Sequence, residues 1–473
     1  MGPIKTDVII VGEGITGLGI AYWLKKRGIN VAVLAKEGVA GGTMKSVKDQ
    51  GFLYETGANT ALETSPHFKE LVSELKLESE FIYANPEGNN RYILRNGILN
   101  SMPLGAGSFF FTKLFSLAAK IRLLKEPFIG RAEKEESIAE FVERRLGREF
   151  LDYAIDPFVA GVFAGKTEQL SVRSAFPKLY ALEEKYGGLV KGMIKGAQER
   201  KQRAEKAKDR AETFSFVSGM QMLPQAICSS LGKAVYFNAK VTGVRNLTTD
   251  REEPSDEPDA RRYLVEYLHH GKEEEIEGDV VVFAVPAYDA APIIKPISKE
   301  TAHVLSSIYY SPVVSLFLGV RREDIGHPLD GFGFLIPSKE QRKILGCLWN
   351  SCLFGNRAPS GMAALNAFIG GARQPELTDL SDEQIIQMTL DELKSIMQFS
   401  GKAVYLNITR WHKSIPQYEI GYQSKMDCLT RFEESNPGIV LAGNYRGGIS
   451  VGDCIQNAYE RAGDISTQIL STR

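Results

Sequence analysis

Residues 7–17 read Asp7-Val8-Ile9-Ile10-Val11-Gly12-Glu13-Gly14-Ile15-Thr16-Gly17, an apolar run that ends in a G-x-G-x-x-G turn. The next stretch, Leu18-Gly19-Ile20-Ala21-Tyr22-Trp23-Leu24-Lys25-Lys26, reads as a helix. After a break at Gly28, Val31-Ala32-Val33-Leu34 reads as a second strand. Strand, glycine-rich turn, helix and strand within about 30 residues is the setting that makes this fingerprint a dinucleotide site. Gly12 permits the tight turn, Gly14 lets a pyrophosphate approach the backbone, and Gly17 lets the helix pack on the sheet. The helix start then offers free N–H groups to a phosphate.

Two further glycine segments follow and favour FAD over NAD. Gly41-Gly42 lies just after the second strand, where a side-chain-free backbone can approach the cofactor. Gly51-Phe52-Leu53-Tyr54-Glu55-Thr56-Gly57-Ala58-Asn59-Thr60 can form another close-approach loop.

A chain of 473 residues has room for two to four domains of roughly 100–200 residues. With 43% hydrophobic and 24% charged residues it is ordinary globular material, neither fibrous nor disordered. The 57 Lys and Arg nearly cancel the 58 Asp and Glu, so no nucleic-acid partner is expected. Five cysteines without C-x-x-C spacing suggest a reduced compartment and no structural zinc, and six scattered histidines suggest no metal site. No basic segment precedes the first strand, so neither signal nor transit peptide is expected.

Farther along, 66–76 reads as a helix, and Ser137 with Glu140 forms a capping-box pattern before Phe141 and Val142. Residues 197–213 are almost wholly polar and read as a solvated helix or linker; 247–260 reads as an exposed loop. Strands are expected at 241–244, 263–265, 279–285 and 313–319. In the tail, 438–444 reads as a strand, 447–453 as a loop, and about 454–470 as a helix capped by Asp453. That helix start either faces a flavin ring or simply belongs to a packing helix.

Asp156-Pro157-Phe158-Val159-Ala160-Gly161-Val162-Phe163-Ala164-Gly165 and Leu170-Ser171-Val172-Arg173-Ser174-Ala175-Phe176-Pro177 resemble a family signature. Lys185-Tyr186-Gly187-Gly188, Phe214-Ser215-Phe216, Gly219-Met220-Gln221 and Gly331-Phe332-Gly333 extend it. So do Trp411, Ile415-Pro416-Gln417-Tyr418, Gly443-Asn444-Tyr445 and Gly452-Asp453-Cys454. Taken in order along nearly the whole chain, these segments resemble the oxygen-dependent protoporphyrinogen IX oxidases, nearest the plant mitochondrial type, in the FAD-dependent amine oxidase superfamily.

The resemblance implies an α/β fold with α+β insertions. A Rossmann-like FAD-binding domain would span 1–88, 213–295 and 408–473. A largely helical membrane-associating and substrate-cavity domain would span 89–212, and a substrate-binding domain with a mixed sheet 296–407. It implies oxidation of a porphyrinogen to a porphyrin in three two-electron rounds for heme or porphyrin biosynthesis, with noncovalent FAD reoxidised by oxygen to give hydrogen peroxide. Hydride removal from a macrocycle needs positioning and a dry apolar cavity rather than a nucleophile, so no catalytic side chain is assigned.

By residue-to-residue match, Arg91 would hold a substrate propionate, and Leu335, Leu348 and Phe368 would sandwich the tetrapyrrole, with Gly161 and Phe163 lining the cavity. The flavin would be held by Gly12, Glu13, Gly14, Ile15, Thr16, Gly17, Gly42, Thr43, Gly57, Ala58, Asn59, Thr60, Val241, Trp411, Val451, Gly452 and Asp453. Two positions depart from the family. The acid that closes the second strand and binds the adenosine ribose is Ala35 here, and an arginine after the glycine pair is Lys45. With Glu37 as the nearest following acid, a weakened adenosine end is expected.

Residues 104–124 carry Phe109, Phe110, Phe111, Leu114, Phe115 and Leu117, interrupted by Lys113, Lys120 and Arg122. They are too short an apolar run to span a bilayer and suit either a helix lying in the interface or one packed inside the protein. The resemblance favours a peripheral membrane protein, on the cytoplasmic side of the inner membrane if the source is bacterial, with a homodimer and substrate handover as further expectations. Two other readings stand beside the first. One is a coproporphyrinogen III oxidase; the other is a flavin-stabilised porphyrin-binding protein without turnover.

Overall fold

Val8–Val11, the first of the apolar runs, is a strand buried on both faces. The computed structural model describes residues 4–103, 105–195, 212–248 and 262–472, so most of the polar 197–213 segment and of the 247–260 loop lies outside the described residues. The strand sits inside a five-stranded parallel sheet ordered Val235–Tyr236, Val31–Leu34, Val8–Val11, Val280–Phe283, Ile439–Leu441. Its β-branched residues alternate between two cores, as a sheet covered on both faces requires. Val8, Ile10, Val31 and Val33 join the core made with helices Ile15–Lys26 and Val451–Thr472. Ile9, Val11, Ala32 and Leu34 join the opposite core, made with Tyr263, Val265, Ile276 and helix Ala287–Ile294.

A second sheet has seven strands, ordered Ala403–Pro416, Tyr310–Arg321, Met362–Gly370, Ile344–Trp349, Gly333–Leu335, Tyr92–Arg95, Ile98–Ser101. It is antiparallel except where Gly333–Leu335 meets Tyr92–Arg95. These pairings tie residues 92–101 to the sheet, whereas the division expected at residue 89 groups them with the helices that follow. Its back face (Val314, Leu316, Leu318, Leu365, Ala367, Ile369) is covered by helix Asp382–Met397 through Ile385, Leu393 and Ile396. That leaves the front face for the site.

Between 105 and 195 the chain is a cluster of short helices around Arg145, a fully buried guanidinium held by Glu126 and Glu183 at 3.0 and 2.9 Å. The Ser137/Glu140 capping box forms and opens helix Ile138–Arg145, as the pattern predicts. The helix expected over 66–76 is His67–Glu74. One expectation shifts: the last helix starts at Val451, and Ser450, not Asp453, caps it. The Ser450 hydroxyl accepts from the Asp453 N–H and donates to its carboxylate, which places Asp453 inside the first turn.

The amphipathic stretch also differs. Instead of one helix there are two short ones, Ala106–Phe111 and Leu117–Arg122, separated where Leu114 and Phe115 turn inward onto Phe150 and Tyr153. Ser116 caps the second, and Glu149 takes both its N–H and its hydroxyl, fixing the break. Among the described residues, no helix is long and apolar enough to cross a membrane.

Candidate active site

The glycine turn has the geometry the sequence demands. Gly12 has φ +116°, and a Cβ there would lie 2.8 Å from the Ala284 carbonyl. A Cβ on Gly17 would strike the Gly12 carbonyl at 2.2 Å, so the helix can begin this close to the strand only with glycine. Gly14 is open: a Cβ there would meet no atom within 4 Å, and no described side chain caps the helix it begins. The first-turn N–H groups of Ile15, Thr16 and Gly17 are thus left without a side-chain cap, the condition under which a helix start takes up a phosphate.

The second glycine segment folds against the first. Gly41 bridges Gly14, and a Cβ on Gly42 would stand 3.3 Å from the Gly14 Cα. Thr43 meets the third segment, since a Cβ on Gly57 would lie 2.0 Å from its carbonyl. Gly57, Ala58, Asn59 and Thr60 are all half-buried. Trp411 donates its indole N–H to the Thr56 carbonyl at 2.7 Å, and Gly452 packs so closely on Thr64 that a Cβ would come 2.4 Å from its hydroxyl. Val241 lies two residues beyond Ala239, whose N–H donates to the Ala35 carbonyl, and so sits at the far end of the cradle. The structure thus brings Gly14, the 41–43 and 56–57 loops and Trp411 into mutual contact, and packs Gly452 on Thr64 close by.

Three supports of these loops carried no assigned role in the sequence. Ser46 donates to Glu55 at 2.5 Å, Glu55 accepts the Met220 N–H at 2.9 Å, and Gln221 bonds both Ser46 N and the Ala40 carbonyl. This buried network ties the 40–46 loop to the 219–221 turn. Burial pushes the Glu55 carboxyl up to about 7, against the hydrogen bonds from Ser46 and Met220 and the nearby Arg357. The signal available was a charged residue closing the apolar run Phe52-Leu53-Tyr54-Glu55.

The front face of the seven-stranded sheet meets the same loops. Leu335 and Phe368 flank Gly346 across the ladder, and Leu348 pairs with Gly333 and Asn366. All six positions share that face, and Leu335, Leu348 and Phe368 are half-buried. Asn366, fully buried beside them, donates to Asn59 at 3.1 Å and accepts from Ser315 at 2.9 Å. A lone amide in Ala363-Ala364-Leu365-Asn366-Ala367-Phe368 was the readable sign of this link.

Helix Asp156–Phe163 roofs the face: a Cβ on Gly161 would lie 2.7 Å from Leu335, and Ala160 packs with Val313 and Leu345. Asp156 pins the roof to the sheet side, pairing with Arg373 at 2.8 Å and accepting from the Ser338 N–H and hydroxyl. Phe163 ends the same helix. It is 3% exposed and packs on Phe176 and Tyr418, and the helix closes just beyond it at Ala164 in the left-handed conformation. Arg91 stands at the rim, its guanidinium 5.3 Å over the Phe332 ring. Arg91 is exposed, desolvation by the surrounding chain lowers its pKa, and among the described residues no carboxylate pairs with it. The region therefore combines a glycine turn at an uncapped helix start, an apolar sheet face and a cation with no carboxylate partner among the described residues.

A parallel sheet with this glycine turn is the frame of a dinucleotide-binding protein, and residues 15–466 match the family described as flavin containing amine oxidoreductase, which makes the chain a flavin-dependent oxidoreductase. Protoporphyrinogen oxidase 2, chloroplastic/mitochondrial, of Arabidopsis thaliana is 32% identical over 479 residues, covering 96% of this chain and 92% of that protein. Coproporphyrinogen III oxidase of Bacillus subtilis (strain 168) is 29% identical over 490 residues, covering all of both chains. A crystal structure from Exiguobacterium sp. 255-15 superposes with a TM-score of 0.78 at 21% identity, covering 99% of this chain and all of the other, and so shares the fold. The chain belongs to the protoporphyrinogen oxidase family within the flavin-containing amine oxidoreductases. It is an oxidoreductase with FAD as its cofactor.

Proposed function

We propose that this enzyme oxidises protoporphyrinogen IX to protoporphyrin IX with noncovalent FAD and molecular oxygen in heme or porphyrin biosynthesis. Six electrons and six protons leave the macrocycle in three rounds, and three oxygen molecules become three hydrogen peroxide molecules. FAD, when bound, supplies the two-electron acceptor of each round. The observation that carries the reading is the uncharged face of Leu335, Leu348, Phe368 and Gly346, joined through Asn366 to the flavin-loop residue Asn59.

In this reading the glycine turn holds the pyrophosphate and the Asn366–Asn59 link stiffens the loop beside the ring system. The apolar face takes the macrocycle, the Asp156-anchored roof excludes water, and Arg91 takes a propionate through its planar fork. Gly161 and Phe163 of that roof helix line the cavity. Segments 1–88, 213–295 and 408–473 form the FAD unit and 296–407 the substrate unit, joined by the 92–101 hairpin, and the domain 89–212 carries the membrane-facing surface on its described helices between 105 and 195. Docking on the cytoplasmic face of an inner membrane, a homodimer and handover to the next enzyme complete the proposal.

The full-length similarity to the Bacillus subtilis protein favours coproporphyrinogen III as the second reading. Its two extra propionates in place of vinyl groups need more cations than an uncharged face offers. Purified enzyme given each porphyrinogen in turn, with porphyrin fluorescence and peroxide followed together, decides between them. Faster turnover of protoporphyrinogen with three peroxides per porphyrin is expected. Preference for coproporphyrinogen selects the second reading, and no porphyrin above the spontaneous rate from either leaves a binding protein.

A further inference from the structure

A Rossmann-type site ordinarily places a carboxylate at the end of the second strand, about 20 residues past the glycine turn, to accept the ribose hydroxyls. Here that position is Ala35, whose N–H and carbonyl are spent on Tyr236 and Ala239 and whose methyl accepts nothing. Glu37 follows in an exposed loop, held by the Asn238 N–H at its carbonyl. A different acid stands at this spot. Strands Val8–Val11 and Val31–Leu34 run side by side with Val11 opposite Leu34, and the Gly12 N–H donates to the Leu34 carbonyl. Glu13, one residue on, is therefore level with the end of the second strand.

Glu13 is only 7% exposed. Its main-chain carbonyl accepts from Gly41, which fixes the turn, and its carboxyl lies against three backbone N–H groups, those of Glu13 itself, Glu37 and Lys36, with the Glu37 carboxylate also near. Among the described residues no cation neutralises it, and burial raises its pKa against those hydrogen bonds. A carboxylate has about four acceptor sites on its two oxygens, so backbone donors leave capacity for a ligand hydroxyl. The backbone donors leave this buried acid without a counter-ion among the described residues, and a ligand hydroxyl adds a further donor at its remaining acceptor site.

We propose that Glu13 is the ribose-binding acid of this FAD site, the carboxylate having moved from the end of the second strand into the middle of the glycine turn. Glutamate in the turn and alanine at the strand end are one exchange, and the adenosine end is held as firmly as in a site with the usual arrangement. The inference rests on FAD as cofactor and not on the choice of porphyrinogen.

The test uses flavin-fluorescence titration of the apoprotein with FAD and with an FAD analogue whose adenosine lacks the 2′-hydroxyl. Wild type is expected to prefer FAD by about tenfold, the size of a hydrogen bond to a charged group. Glu13→Gln is expected to bind FAD about tenfold more weakly and to lose that preference. The Glu13→Ala/Ala35→Glu double variant is expected to regain it. Because the preference is a ratio within one protein, general damage to the turn does not imitate its loss. Full preference retained in Glu13→Gln would overturn the proposal, as would equal binding of both ligands by wild type. A colourless protein that takes up neither ligand would instead overturn the FAD assignment beneath it.

Discussion

Arg91 is the residue whose chemistry is most exposed to test. It sits at the rim of an uncharged face with Phe332 beneath it and no carboxylate partner among the described residues. Arg91→Ala is expected to lower kcat/KM for protoporphyrinogen by roughly ten- to a hundredfold, chiefly through KM, since a charge-assisted hydrogen bond contributes about 1.5–3 kcal/mol. FAD content should not change. Arg91→Lys keeps the charge but loses the bidentate fork, so an intermediate loss is expected. Steady-state kinetics beside a flavin absorbance ratio checks both, and unaltered kinetics would return Arg91 to the role of a surface cation.

At the scale of the element, the 106–128 segment separates two kinds of apolar residue that its sequence runs together. Phe111 is 90% and Phe128 88% exposed, while Leu114 is fully buried against Phe150 and Tyr153. Phe110, Leu117 and Leu124 are exposed as well, with Lys120 spent on the Phe110 and Thr112 carbonyls. An exposed apolar patch beside basic residues suits an interface between water and lipid. The triple variant Phe110→Ser/Phe111→Ser/Phe128→Ser is expected to lose most liposome binding in flotation with its Tm unchanged. Leu114→Ala is expected to do the reverse: it costs about 2–5 kcal/mol of stability through the cavity it leaves, and vesicle binding persists. The opposite ranking would place the phenylalanines in a protein interior.

For the molecule as a whole, the Glu55 network joins the flavin loop to the 219–221 turn and leaves a pH signature. In the folded protein the Glu55 carboxyl titrates at about 7 rather than at the ordinary 4.5, because burial disfavours its charge. Between those values the folded state keeps a proton that the unfolded chain releases, so stability falls as pH rises through the window. Glu55→Gln retains an acceptor for Met220 and a donor for Ser46 but does not ionise. The variant is expected to gain on wild type by up to about 1.4 kcal/mol per pH unit across that window, with a constant gap above it and little below. Melting curves of both proteins at about pH 5, 6, 7 and 8 measure the gap, and a pH-independent difference would mean that Glu55 is ionised throughout.

Much of this organisation was legible in the chain. The strand, glycine turn, helix and strand at 7–34 are read from local rules alone: Val and Ile alternate between two covered faces, and Gly12 and Gly17 stand where no Cβ fits. The glycine pair at 41–42 and the 57–60 loop were likewise readable, since close backbone approach requires residues without side chains. Register between distant segments was not, because it depends on partners hundreds of residues away. Only the fold sets Leu335, Leu348 and Phe368 on one face with Asn366, links that face to Asn59, and turns Phe163 into the core. Only the fold breaks the amphipathic stretch, since Leu114 finds its burial on residues 150 and 153. Glu13 shows the division most plainly. Local sequence places an acid in the glycine turn and an alanine at a strand end, and parallel pairing of the two strands makes them neighbours.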